Sequence, residues 1–368
     1  MIKILVTLHL AGLIFWASIF PGYAAELPLT AQAYVLMDAK TGTVLLAKNA
    51  EQKRPPASTT KIMTAILALE QGELNKEVCI SHRAAAVGEA SIYLEPGEKI
   101  TVLNLVRGAL IKSGNDATVA LAEYLSGSEE LFVVLMNRKA KLLGAFNSNF
   151  KNPNGLPAPE HYSTAYDLAL MARYGLQSRV FQSIVSTKQI TIPWYGKKWG
   201  RYLQNTNKLL WKYPGANGVK TGTTKEAGSC LVASAKRGGR QLIAVVLKSR
   251  DRFGDAATLL DYGFSSTTFE NIAKGTEFGA IYVPNALNYR IPIVTAHTFA
   301  HALPKGSRLE RVVILNKREY GTIKKGSPVG YLLVKSQGQE LARIPLIAKD
   351  EAMPREQKIR KILHPFLN

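Results

Sequence analysis

The chain has 368 residues, 46% of them hydrophobic and 20% charged, which is ordinary for a soluble globular protein and long enough for two domains with separate cores. Length and composition exclude little; charge says more. Lys and Arg number 47 against 27 Asp and Glu, a formal charge of +20, so the surface attracts polyanions and nucleic acid is the first candidate. The start of the chain argues against nucleic acid.

Residues 1–25 carry one full charge, Lys3, followed by the apolar run 4–20 and then Pro21-Gly22-Tyr23-Ala24-Ala25. This pattern predicts a secretory signal peptide cut just after Ala24 or Ala25; an uncleaved anchor is the alternative, because the run is close to bilayer-spanning length. Export places the protein at the outer face of the cytoplasmic membrane, in the periplasm or cell-wall space. The anions there are wall polymers and lipid headgroups.

The β-rich runs 33–37 and 43–47, separated by Asp38-Ala39-Lys40-Thr41-Gly42, predict a hairpin. Pro55-Pro56 then fixes an extended approach, and a helix is expected to begin at or just after Ser58 and continue through the apolar segment 62–70. Residues 78–98 show no clear periodicity. Helical spacing over 101–124 is interrupted by Ser113-Gly114-Asn115, which should end one helix and start another with Asp116 just inside it. Further helices are expected over 129–143 and 164–174, with a turn-rich stretch, 147–161, between them. Lys220 is expected at the start of a strand. The runs 229–235 and 241–247, joined by Lys236-Arg237-Gly238-Gly239-Arg240, predict a second hairpin, and 255–262 a short helix closed by Gly263. Strands at both ends with helices between imply an α/β (α+β) fold, with an antiparallel sheet, a helical cluster packed on it and a site in the crevice.

From about residue 269 to 348 the chain changes to short β-rich runs at 280–283, 291–294, 311–315, 329–334 and 341–345, the pattern of a small all-β domain. The end of the chain sets Ile359, Ile362, Leu363, Phe366 and Leu367 among Arg355, Lys358, Arg360 and Lys361, which reads either as a basic amphipathic helix on anionic lipid or as a solvated tail interrupted by Pro365. The domain reading is therefore signal peptide 1–25, main domain 26–266, small β-sandwich 267–348 and basic tail 349–368. Cys79 and Cys230 fit no metal motif; a disulfide is open to an exported protein, and two unpaired thiols are the favoured reading.

Ser58 and Lys61 are three apart on the expected helix, so they share a face. Ser58 stands at the positive end of the helix dipole, among backbone N–H groups without intrahelical partners, and the apolar run after Lys61 offers the burial that lowers a lysine pKa. A serine activated by a neutral lysine is a nucleophile. By itself the tetrapeptide reads first as an N-capping serine followed by a solvated lysine; Ser113-Gly114-Asn115 reads as a turn, and Lys220-Thr221-Gly222 as a breaker before a strand. The three together, in this order, resemble the Ser-x-x-Lys, Ser-x-Asn and Lys-Thr-Gly signature of penicillin-binding proteins and class A β-lactamases. Met37-Asp38-Ala39, Asn152-Pro153-Asn154-Gly155-Leu156, Tyr162-Ser163-Thr164-Ala165 and Asn205-Thr206-Asn207-Lys208-Leu209-Leu210 extend the resemblance. It points to the low-molecular-mass penicillin-binding proteins, the D-alanyl-D-alanine carboxypeptidases, over about residues 33–264.

That resemblance implies the penicillin-binding fold and an acyl-enzyme mechanism on peptidoglycan stem peptides, with β-lactam antibiotics as covalent inhibitors and no metal or organic cofactor. Ser58 would attack the bond between two D-alanines and Lys61 would take its proton. The backbone N–H groups of Ser58 and Thr223 would hold the oxyanion, and Ser113 would pass a proton to the leaving amine. Asn115 would bind a substrate amide. Lys220 would keep Lys61 neutral and, with Thr221, Gly222 and Thr223, receive the substrate carboxylate. Arg250 or Arg252 is a further candidate there, with no choice between them. His82, His161 and His364 are not required, and His161 reads as structural. The alternatives are a DD-endopeptidase, a wall-binding protein with a silent site, and a class A β-lactamase, although no Glu-x-x-Leu-Asn segment lies between Asn115 and Lys220.

Overall fold

The computed structural model describes residues 27–284, 286, 288–316 and 322–352. The signal read over 1–25 and the tail beyond Ala352 lie outside the described residues. The chain divides into two compact units, Met1–Asp261 and Tyr262–Asn368.

In the first unit β1 (Ala33–Asp38) and β2 (Val44–Lys48) form the expected hairpin, turned by Asp38, whose Oδ1 accepts the N–H groups of Lys40 and Thr41 at 3.1 and 3.0 Å. A 3-10 turn, Ala57–Thr60, leads into α1 (Lys61–Gln71), which is buried from Lys61 to Ala68. A helix apolar on every side belongs in the centre of a cluster, and α1 is packed there. Around it run β3 (Glu77–Cys79), α2 (His82–Ala85), β4 (Lys99–Thr101), α3 (Val102–Arg107), α4 (Asn115–Ser126), α5 (Glu129–Leu142), α6 (Ala165–Gly175), α7 (Arg179–Ser186), the pair β5 (Gln189–Ile192) and β6 (Arg201–Gln204), and α8 (Leu209–Lys212). The chain closes with β7 (Ala216–Thr224), β8 (Gly228–Arg237), β9 (Arg240–Ser249) and α9 (Arg252–Ser266).

The sheet has the order β2-β1-β9-β8-β7, antiparallel throughout, so β1 and β9 bring the two ends of the unit together with Val35 opposite Val245. Val35, Met37, Val232 and Val245 join the core shared with α1, while Leu36, Leu231 and Val246 are equally buried, so both faces are covered. Two expectations change. Gly263 does not close the last helix, which runs on to Ser266, because a glycine ends a helix only where it turns left-handed, and Gly263 does not. Lys220 lies inside β7 rather than at its start, because the strand already begins at Ala216 and absorbs the irregularity between Ala216 and Gly218 as a bulge that still pairs Ala216 with Ala235.

The second unit is all-β among its described residues after α9. It comprises β10 (Thr267–Ile272), β11 (Glu277–Tyr282), β12 (Arg290–Thr295), β13 (Phe299–Pro304), β14 (Leu309–Leu315), β15 (Pro328–Ser336) and β16 (Gln339–Ala348). Five of them form a sheet, β11-β12-β16-β15-β14, and β10 pairs with β13. Ile291, Ile293, Leu332, Val334, Ile344 and Leu346 alternate with more exposed neighbours and build a separate core.

Candidate active site

The chain enters the site through Pro56 and Ala57, the latter at φ 49°, and turns so tightly that the N–H and hydroxyl of Thr59 both reach Pro56 O, at 3.3 and 2.6 Å. Ser58 is half-buried in this turn. Three residues on, Lys61 is wholly buried, and its Nζ lies 2.8 Å from Ser58 Oγ, 2.7 Å from Asn115 Oδ1 and 2.7 Å from the carbonyl of Asn154.

Burial first, and the Lys220 ammonium second, hold the Lys61 pKa well below the usual lysine range, against the weaker opposing pull of Asp116 and Glu89. This favours the unprotonated amine, which has two N–H groups and one lone pair. Asn115 Oδ1 and Asn154 O can only accept, so they take both N–H groups; the lone pair is left facing the Ser58 hydroxyl. The arrangement can remove a proton from Ser58.

The second segment arrives from α3, which widens into a π turn over Gly108–Lys112 and ends at Ser113 in the left-handed region, φ 72°. Asn115 opens α4, as the break in periodicity predicts. The third segment is β7. Its Lys220, 1% exposed, donates to Ser113 Oγ and to Thr221 O, both at 3.0 Å. Burial and the nearby Arg252 guanidinium bring its pKa down to about 7. Gly222 lets β7 approach closely: a Cβ there would stand 3.0 Å from Pro56 O and 3.1 Å from Ser58 N, so a larger residue would need β7 or the Ser58 turn to give by a few tenths of an ångström. Gly155, at φ 88°, is required for the same turn, since a Cβ would collide with the Ala57 carbonyl. Ser58, Lys61, Ser113, Asn115, Lys220 and Gly222 thus surround one point.

Comparison with known proteins gives the same direction. The family described as D-alanyl-D-alanine carboxypeptidase matches residues 22–251. The chain is similar to the D-alanyl-D-alanine carboxypeptidase DacF of Bacillus subtilis, 39% identical over 339 residues that cover 89% of this chain and 87% of that protein. Among solved structures it resembles penicillin binding protein 5 from Haemophilus influenzae, with TM-score 0.77, 30% identity and coverage of 90% of this chain and 99% of that one. It also resembles a mutant of the Streptomyces K15 DD-transpeptidase, with TM-score 0.63, 35% identity and coverage of 65% and 100%.

The chain belongs to the D-alanyl-D-alanine carboxypeptidase family. It is a serine peptidase of mixed helix and sheet, as the signature implies.

The structure adds contacts to this carboxypeptidase-family site. Of Arg250 and Arg252, it is Arg252 that reaches β7, its Nη1 donating to Gly222 O at 2.9 Å and to Thr223 Oγ1 at 2.7 Å. Thr206 shares a 2.6 Å hydroxyl contact with Thr221 and ties its own N–H to Ile111 O at 3.2 Å. Asn154 enters through its carbonyl; the Asn-Pro-Asn-Gly turn signature marked the place, though no motif identifies a backbone acceptor. Asn115 uses one amide N–H on Gly88 O at 2.8 Å and its oxygen on Lys61, which leaves one N–H for another partner. The Asp116 carboxylate is fully buried and accepts from Ser91 Oγ and the N–H groups of Ile92, Leu94 and Ala117.

His161 is buried, and its pKa falls to about 4, through burial and then Lys151. Its Nδ1 accepts the Lys151 N–H at 3.1 Å, so the proton sits on Nε2 and is donated to Thr60 Oγ1 at 3.0 Å. It braces the turn beside Ser58.

Proposed function

We propose that this chain is a serine-type D-Ala-D-Ala carboxypeptidase that removes the terminal D-alanine from peptidoglycan stem pentapeptides. The observation that carries the reading is the Lys61 amine, buried and held 2.8 Å from Ser58 Oγ by two oxygens that can only accept. Ser58 Oγ attacks the carbonyl carbon of the penultimate D-alanine as its proton passes to Lys61. The oxyanion is met by the backbone N–H groups of Ser58 and Thr223, donors of a kind worth about 3 kcal/mol each. As the tetrahedral intermediate collapses, the amine of the departing D-alanine takes a proton through Ser113, and water later cleaves the Ser58 ester. Lys220, Thr221, Thr223 and Arg252 receive the free carboxylate, which selects a terminal over an internal D-alanine; Asn115 holds a substrate carbonyl with its remaining N–H. Penicillins acylate the same serine and leave slowly.

The test is mass analysis of purified wall peptides before and after treatment, alongside labelling by a fluorescent penicillin. Loss of one terminal D-alanine, with label that vanishes in Ser58→Ala, supports the proposal. Resolution of dimers alone would make the chain an endopeptidase, rapid steady-state penicillin hydrolysis would make it a β-lactamase, and absence of label would leave a binding protein.

The proposal extends to place and layout. A peptidase domain over 26–266 carries the chemistry, with a β-sandwich domain over 267–348. Residues 1–25 direct export and are removed after Ala24 or Ala25, and of the tail over 349–368 the part beyond the buried Ala352 lies on anionic lipid; the apolar run and the basic amphipathic pattern support this. Among the described residues no helix is long and apolar enough to cross a membrane. N-terminal sequencing of the mature protein, and fractionation with and without residues 353–368, test both ends.

A further inference from the structure

The first unit exposes several large aromatic side chains, among them Tyr93 at 68% in the stretch after Gly88, and Tyr195 at 55% and Trp199 at 65% in the connection between β5 and β6. Tyr93 belongs to the stretch that touches Asn115 from outside, in which Gly88 O accepts from Asn115 Nδ2 at 2.8 Å and Ala90 O from Asn115 N–H at 2.7 Å. Its backbone is left-handed, φ 61°, a conformation disfavoured for a bulky residue and found chiefly where function demands it. That backbone is tied on every side. Tyr93 N–H donates to Ser91 Oγ at 2.7 Å, Leu94 N–H donates to the buried Asp116 at 3.1 Å, and the Tyr93 carbonyl accepts from Arg201 Nη2 at 3.0 Å. The ring is left to solvent.

Tyr195 and Trp199 lie in the connection between β5 and β6, and this connection is fastened to the Tyr93 stretch. Arg201 and Glu98 form a bidentate pair at 2.8 and 2.9 Å, each 3% exposed, and Lys197 faces Glu95 at 3.4 Å. The Trp194 ring covers the same Arg201 guanidinium at 4.5 Å. The Tyr93 stretch and the β5–β6 connection are therefore fastened into one piece that carries exposed aromatic rings.

Exposed π faces on a fastened backbone suit a ligand with an apolar face and a polar edge. A pyranose ring is such a ligand: its C–H face packs on an aromatic ring while its hydroxyls stay in water. Of the three cations between Lys197 and Arg201, two already face glutamates, so the wall does not present the field an anionic surface would need.

We propose that Tyr93, Tyr195 and Trp199 form a carbohydrate subsite that holds a sugar ring of the glycan from which the peptide substrate hangs. The proposal rests on the peptidase reading above. Its test compares kcat/KM for a free stem pentapeptide with that for the same pentapeptide carrying its amino-sugar disaccharide. The wild-type chain should favour the disaccharide form, chiefly through KM. Tyr93→Ala and Trp199→Ala should each shrink that advantage by about three- to tenfold, and Tyr93→Phe should keep it. The subsite is overturned if the wild type shows no advantage, or if Tyr93→Ala and Trp199→Ala slow both substrates equally. It is also overturned if they spare the advantage and instead weaken sedimentation with phosphatidylglycerol vesicles. Penicillin labelling of the unmodified chain separates the two proposals: no label removes the peptidase reading, whereas label without a disaccharide advantage removes the subsite alone.

Discussion

The two units differ in what they bury. Among the described residues, the second unit buries only Thr295 and Ser336 as polar side chains, whereas the first buries Lys61, Lys220, Asn115, Asp116, Glu98 and Arg201 among many others. The second is a sheet whose inward positions alternate with outward ones and whose interior is aliphatic. The first carries two amines taken out of water within electrostatic reach of one another, which no folding argument favours. Evenly apolar burial is what stability alone selects, and a concentration of buried polar groups marks where chemistry is done.

The largest expected break in this contrast is Ser58→Ala. It should slow acylation by a fluorescent penicillin by about 10⁴-fold or more while leaving the melting temperature within a few degrees, because it deletes one half-buried hydroxyl. A rate that survives would move the chemistry elsewhere.

Next is the stability penalty of Lys220. Its folded pKa of about 7 lies below the unfolded value near 10.5, so between these pH values the unfolded chain binds the extra proton and stability must rise with pH. The gain should approach about 4 kcal/mol across that window, and Lys220→Met should reduce the rise in urea titrations at pH 7 and pH 10, the remainder belonging to the buried Lys61. An identical slope in both proteins would mean that the lysine keeps its charge without cost.

Leu332→Ala sharpens the contrast from the other side. Truncating this fully buried residue should cost about 3 kcal/mol, read as earlier urea unfolding, while penicillin labelling of the folded protein keeps its rate. A fall in labelling rate without unfolding would show that the two units are energetically coupled.

The smallest effect concerns His161. Its folded pKa of about 4 lies below the ordinary 6.5, so its contribution is complete above pH 6.5 and drains away as pH falls toward 4. Between pH 7 and pH 5 the wild type should lose about 2 kcal/mol that His161→Gln does not lose, checked by unfolding at the two pH values. Equal losses would assign the acid sensitivity to other groups.

Much of this molecule is legible along the chain. The hairpins of β1 and β2 and of β8 and β9, the helix after Ser58, the break at Ser113 and the all-β second unit follow from periodicity and turn residues, which are local properties. Less legible were α7, the pair β5 and β6, and strands β10 and β13, short elements whose patterns are no stronger than those of neighbouring turns. The end of α9 beyond Gly263 and the start of β7 ahead of Lys220 are not legible, because glycine permits a turn without requiring one.

The amino-acid sequence alone determined that a serine, a lysine three residues on, a Ser-Gly-Asn and a Lys-Thr-Gly share one chain, and that the family to which they point is a peptidase family. Tertiary structure decided that Arg252 rather than Arg250 reaches β7, that Asn154 contributes a carbonyl and Thr206 a hydroxyl, and that Asn115 divides its amide between Lys61 and Gly88. It also decided that both lysine pKa values are pulled down, by burial first and then by a neighbouring cation. A pKa depends on how many apolar atoms and which charges surround a group in three dimensions, and for Lys61 the second largest influence, Lys220, lies 159 positions away along the chain.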